Sequence, residues 1–112
     1  MSRSFRDVRP PPAPPRPDLV RNPPGAFGWL DARLLSEHWL GRLGPDATAV
    51  LVLLSLAADK QGSSFYGRTR MTQALGLSRM ELDRALARLL ELGLVAHRPW
   101  CPGSQDGVWQ LL

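Results

Sequence analysis

Residues 71–95 read MTQALGLSRMELDRALARLLELGLV, and their spacing decides how the rest of the chain is understood. Met71, Leu75, Leu77, Leu82 and Ala85 fall where two helices crossing at roughly 90–120° need apolar contacts, and Gly76 stands at the corner where a side chain would clash. Ser78 is an N-cap residue whose hydroxyl can accept from first-turn amides, and Gly93 can take the left-handed position that closes a helix. The spacing therefore predicts one helix over 68–75, a turn at Gly76-Leu77, and a second helix from Ser78 to Leu92.

Working outward, residues 94–100 have strand character, 101–107 form a Pro/Gly/Asp-Gly loop, and 108–112 alternate as a closing strand. Upstream, Ser63-Ser64-Phe65-Tyr66 is short, aromatic and bounded by Gly67, as a brief strand would be. Leu34, Leu35, Trp39, Leu40 and Leu43 recur at helical spacing behind Asp31, a helix N-cap candidate, which predicts one helix over 31–43. Gly44-Pro45 ends it and opens another, in which Ala47, Val50, Leu51, Leu53, Leu54 and Leu56 leave little polar surface. So apolar a helix must be covered on all sides or must present a stripe for self-association, and a homodimer through this second helix is one of the two outcomes. The order is helix, helix, strand, helix, helix, strand, strand: an α+β fold, mainly helical with a small antiparallel β-hairpin.

The stretch 71–95 resembles winged helix-turn-helix DNA-binding proteins of the MarR type and the winged domains of plasmid and phage replication proteins. The resemblance is carried by Thr72-Gln73-Ala74-Leu75-Gly76-Leu77-Ser78 and by Leu89-Leu90-Glu91-Leu92-Gly93-Leu94-Val95 leading into a strand, and it extends over about residues 30–112. It implies that the helix after Ser78 is a recognition helix and that the hairpin is a wing. Two positions depart from the family pattern. Thr72 stands where Ala usually lets the helices approach, and the loop Cys101-Pro102-Gly103-Ser104-Gln105-Asp106-Gly107 has no Lys or Arg of the kind that winged proteins insert into a minor groove.

With Leu82, Ala85, Leu86 and Leu89 facing inward, the opposite face of that helix presents Arg79, Met80, Asp83, Arg84, Ala87 and Arg88. Arg79 and Arg84 are suited to bidentate contact with guanine, and Met80 to a thymine methyl. Asp83 can accept from a cytosine amine or hold Arg79 or Arg84 in an ion pair across one helical turn. Phosphate contacts that fix register are expected from Arg68, Thr69, Arg70, Gln73, Ser78, Arg88 and Arg98. The expected partner is double-stranded DNA, and the expected role is transcriptional regulation or control of replication and mobile elements. The rival reading keeps the winged fold but uses it as a protein-protein adaptor without DNA.

Charge follows the same division. Of the 14 basic residues, 13 are Arg, against ten acidic ones, for a net +4. Residues 1–27 hold five Arg and two Asp, and residues 66–100 hold six Arg against Glu81, Asp83 and Glu91, so each segment is +3 and the remainder is −2. The first segment also has eight of the 11 Pro and reads, over residues 1–26, as a disordered tail ahead of a domain spanning 27–112. That tail is a PxxP ligand, an electrostatic arm or a solvated spacer.

Enzyme chemistry finds no inventory. His38 and His97 lie far apart without a metal-ligand pattern, Cys101 is the only cysteine, and no Gly-rich phosphate loop follows a strand. No cofactor, metal or small-molecule ligand is expected, because about 85 residues make one core with little room for a pocket. The apolar run over 47–58 is shorter than the roughly 20 residues that cross a bilayer, and no apolar segment follows the early Arg residues as in a secretory signal. Together with the lone cysteine, these features lead to the expectation of a cytoplasmic, nucleoid-associated protein.

Overall fold

A computed structural model describes residues 12–22 and 24–112. The expected tail lies partly outside the described residues; its described part is exposed and contains one 3-10 turn, Pro17–Leu19, beside an Arg16–Asp18 ion pair of 2.9 Å. The fold is α+β. Helices α1 (Arg33–Ser36) and α2 (Trp39–Ala57) precede strand β1 (Ser63–Ser64), α3 (Arg68–Leu75) and α4 (Arg79–Glu91) follow it, and β2 (Val95–Pro99) and β3 (Gly107–Leu111) close the chain.

This is the order the sequence predicts, with one correction. The helix expected over 31–43 begins at Arg33, just behind Asp31, whose carboxylate accepts from the Arg33 amide at 2.9 Å, and it stops after Ser36. His38 adopts the left-handed conformation (φ 63°) and α2 starts immediately behind it. No Gly or Pro marks the break; His is among the residues that tolerate this region.

Gly44 (φ 79°, ψ 172°) then interrupts α2 where Gly44-Pro45 was expected to separate two helices. By length and composition α2, 19 residues of mean hydropathy 1.4, would be long enough to cross a membrane. The interruption leaves residues 45–57 as the continuous apolar helix, about 20 Å at 1.5 Å per residue against roughly 30 Å of hydrocarbon.

Helix α2 is the hub, packing on α1, α3, α4, β1 and β3. Val50, Leu51 and Leu54 are buried together with Leu82, Leu86 and Leu89 of α4, Met71 of α3, and Val95 and Trp109 of the sheet. Val52 and Leu56, one turn apart, remain exposed, so α2 is covered on most faces but not all. Residues 27–32 cross the far end of α2, with Gly28 in close contact with the Ser55 carbonyl. Trp29 is 70% exposed, and Trp39 is half-buried under the Arg42 guanidinium, 4.4 Å from its ring centroid. Between this crossing segment and the body lies an open groove of about 800 Å³, lined by Phe27, Trp29, Leu34, Leu51, Leu92 and Leu111. Counting about 85 residues into one core does not foresee this groove, which arises because residues 27–32 cross α2 outside the core.

The sheet runs β1-β3-β2, antiparallel throughout. Its register sets Ser64, Trp109 and His97 in one row, and the His97 ring stacks on Trp109 at 4.0 Å. Trp100 does not pair with Trp109 across the hairpin, because it lies three positions beyond His97 and thus on the other face of the sheet. Trp100 meets Phe65 instead.

Gly107 pairs with Pro99 where the two backbones are closest: a Cβ there would overlap the Arg98 carbonyl and lie 2.6 Å from the Pro99 Cα, whereas one on Gly25 meets nothing within 4 Å. Gly107→Ala is therefore expected to cost about 1–3 kcal/mol and to lower the thermal midpoint, with Gly25→Ala unchanged in the same circular-dichroism melts.

Candidate nucleic-acid interface

The corner that aims α4 is closed by local chemistry on both sides. Gly76 ends α3 in the left-handed conformation (φ 68°) while its amide donates to the Thr72 carbonyl at 2.9 Å. Ser78 and Glu81 then form a reciprocal capping box: the Ser78 hydroxyl accepts from the Glu81 amide at 3.1 Å, and the Glu81 carboxylate accepts from the Ser78 amide at 2.9 Å. That amide is the main cause of the Glu81 carboxyl lying below its ordinary range. The Ser78 oxygen, expected to meet phosphate, is thus already an acceptor in the cap.

Leu82, Ala85, Leu86 and Leu89 are buried, and Arg79, Met80, Arg84, Ala87 and Arg88 lie exposed on the opposite face of α4, as the periodicity predicts. Their states differ. Among the described residues Arg84 makes no ion pair or side-chain hydrogen bond, and Met80 is 69% exposed. Arg79 donates Nε to Asp83 at 3.2 Å and a terminal nitrogen to the Gln105 side chain. Arg88 pairs with Glu91 at 3.0 Å and reaches toward the Arg42 carbonyl, near the far end of the helix.

Asp83 takes the second of the two roles read from the sequence, an ion pair across one turn, and adds another partner. The same carboxylate oxygen accepts from Arg68 at 2.6 Å. Arg68 was expected to meet phosphate, but its side chain is only 15% exposed. Its guanidinium also donates Nε to the Gln105 carbonyl at 3.2 Å and lies 5.6 Å from the Trp109 ring centroid, while its backbone amide donates to Asp106 Oδ1 at 3.0 Å. The loop between β2 and β3 is in this way tied to the first turns of both α3 and α4. Arg70 lies over the Tyr66 ring at 4.2 Å, and Thr69, Gln73 and Arg98 are exposed on α3 and β2. Arg70, Arg84, Arg88 and Arg98 are thus each exposed to solvent, with Arg79 half-committed. No group of three or more His, Cys, Asp or Glu side chains suited to a metal ion occurs among the described residues.

Sequence reasoning does not reach Asp106, Gln105 or Tyr66. Asp106-Gly107 reads as a turn, and no local pattern shows that its carboxylate caps a helix 38 positions earlier. Phe65 and Trp100 are legible as strand residues, but not as an exposed pair.

Comparison with known proteins adds no relative. No protein-family model matches the chain, and no curated protein or solved structure matches it either.

Asp83→Asn removes the charge that holds Arg68, leaving a mostly enclosed guanidinium without its counter-ion; a loss of about 1–3 kcal/mol is expected in urea unfolding. A second outcome concerns His97, whose imidazole burial pushes below its ordinary value near 6.5, with the Arg68 charge adding to the shift and Asp106 opposing it. The unfolded chain binds this proton at higher pH than the folded one, so His97 contributes its full stability above about pH 6.5 and loses it as pH falls toward the folded value. Thermal midpoints measured from pH 7.5 to 5 should decline, and His97→Phe, which keeps a ring against Trp109, should flatten the decline.

Proposed function

We propose that this protein is a winged helix-turn-helix domain that binds double-stranded DNA by laying α4 in the major groove. The observation that carries the reading is the outward face of α4, where Arg84, without an ion pair among the described residues, stands beside exposed Met80 and a half-committed Arg79 on a helix whose other face is fully packed. A packed helix cannot rotate to hide that charge, and Arg70, Arg88 and Arg98 are further exposed arginines to which a phosphate backbone is complementary.

In this reading Arg84 reads a guanine edge through its two terminal nitrogens and Met80 covers a neighbouring thymine methyl. Arg79 exchanges Gln105 for a base while Asp83 keeps its Nε fixed, so Asp83 acts on base readout by orienting Arg79. Arg70, Arg88 and Arg98 meet phosphate with Thr69 and Gln73, and Arg68 and Ser78 hold the frame instead of touching DNA. The exposed Val52 and Leu56 on α2 are where a second copy would join; a two-fold dimer then places half-sites roughly 34–36 Å apart on nucleoid DNA, as control of transcription or replication requires. The adaptor alternative draws on the same exposed apolar residues together with Trp29, and differs in needing no duplex.

The test is a gel-shift titration of the full chain against pooled duplex at about 50 and about 200 mM salt, with affinity falling as salt rises. Arg84→Ala should cost about 1–3 kcal/mol and relax sequence preference, whereas Arg70→Ala should weaken every sequence alike and reduce the salt slope by about one. Absence of any shift at the lower salt would leave the adaptor.

A further inference from the structure

Phe65 and Trp100 form an exposed aromatic pair that neither the core nor the α4 surface uses. Register places them on the outer side of the sheet. His97 and Trp109 face the core, so Arg98 and Trp100, at the alternate positions along β2 and its end, face outward; Phe65 follows Ser64, which is buried opposite Trp109. The rings are 71% and 61% exposed, with centroids 6.5 Å apart and planes inclined at 53°. Each keeps an open face, since an inclined pair cannot stack fully on itself.

Size argues against a protein partner. Aromatic side chains offer about 150–250 Å² each, so two at this exposure present roughly 250–300 Å². A stable protein interface takes about 800 Å² from each side. The neighbouring outward residues, Ala96, Val108 and Gln110, are half-buried or polar and extend the apolar area little. Charge argues for a polyanion. Arg98 stands two positions before Trp100, and Asp106, the acidic residue of the adjoining loop, already accepts from the Arg68 amide.

Position links the pair to α4. The Trp100 amide donates to the Asp106 carbonyl at 3.0 Å, and the neighbouring Gln105 binds Arg79. The rings therefore sit one short loop from the residues that face DNA in the proposal above. We infer that Phe65 and Trp100 are a stacking platform for unpaired bases of a single strand flanking the duplex, with Arg98 on that strand's phosphates. The inference rests on the duplex-binding reading of α4 and adds to it the substrate class: a junction of double- and single-stranded DNA. A wedge driven between base pairs of an intact duplex needs an apex; Trp100 instead opens the loop, and both rings lie side by side on a sheet across which a single strand can run.

The full chain is titrated by fluorescence anisotropy against a blunt pooled duplex, the same duplex with a dT overhang, and the dT strand alone. Affinity for the overhang duplex should exceed that for the blunt one by five-fold or more. Trp100→Ala and Phe65→Ala should abolish the difference without weakening blunt-duplex binding, Trp100→Phe should keep most of it, and Arg84→Ala should weaken both duplexes. Circular-dichroism melts certify that each variant is folded. Equal affinity for blunt and overhang duplexes overturns the platform and leaves the α4 reading intact. Binding of the dT strand without binding of blunt duplex, lost in Trp100→Ala, supports the platform and removes the α4 reading. Loss of blunt-duplex affinity in the ring variants equal to their loss on the overhang duplex overturns the platform in favour of a duplex wedge. Loss of self-association in those variants, with DNA affinity unchanged, overturns it in favour of a protein contact.

Discussion

One arginine holds the charged side of this molecule together. Arg68 starts α3, binds Asp83 on α4, reaches the Gln105 carbonyl in the loop after β2 and lies beside the Trp109 ring, so four otherwise separate segments share one guanidinium. A planar group with five donors is suited to this, since it satisfies several acceptors from a fixed position while its flat face packs on an aromatic ring. Because Asp83 is shared with Arg79, the tie that fixes the frame also sets the direction of a side chain on the proposed DNA surface.

Most of the architecture is legible in the sequence, for a reason that also explains what is not. The α3–α4 corner, the N-cap at Ser78, the left-handed Gly93 and the hairpin are all encoded within a few residues of where they occur; Gly76 is needed there for its left-handed φ of 68°, since a Cβ on it would meet nothing within 4 Å. Local propensity and tertiary packing agree there. The break at His38 carries no such local mark. The Trp109 partner depends on strand register, which is set by the pairing of two segments and cannot be read from either alone; a shift in parity exchanges a buried neighbour for an exposed one.

For the candidate surface the division is similar. The face of α4 follows from period alone, so Arg79, Met80, Arg84 and Arg88 are placed correctly by counting. Charge is legible but commitment is not: Arg68 and Arg70 sit two positions apart in the same helical turn, yet one is enclosed and the other exposed. The difference arises from Asp83 and Gln105, which belong to other elements. The net +3 over residues 66–100 already counts Asp83 and Glu91, so the internal ion pairs do not lower it; they decide which arginines carry it, enclosing Arg68 and leaving Arg70, Arg84 and Arg98 exposed.

The cap on α3 has a consequence for how the molecule comes into being. The helix begins at Arg68, but the carboxylate that receives its first amide belongs to Asp106. During synthesis the apolar faces of α2, α3 and α4 can meet while that amide still faces water and Trp109 of the core is still missing. Only after Asp106 has left the ribosome does the loop fold back and fasten the two helices. A nascent or prematurely ended chain that stops before Asp106 thus lacks both the carboxylate that caps α3 and Trp109 of the core, so the loop and the helix turns it fastens are the last part of the molecule to be ordered.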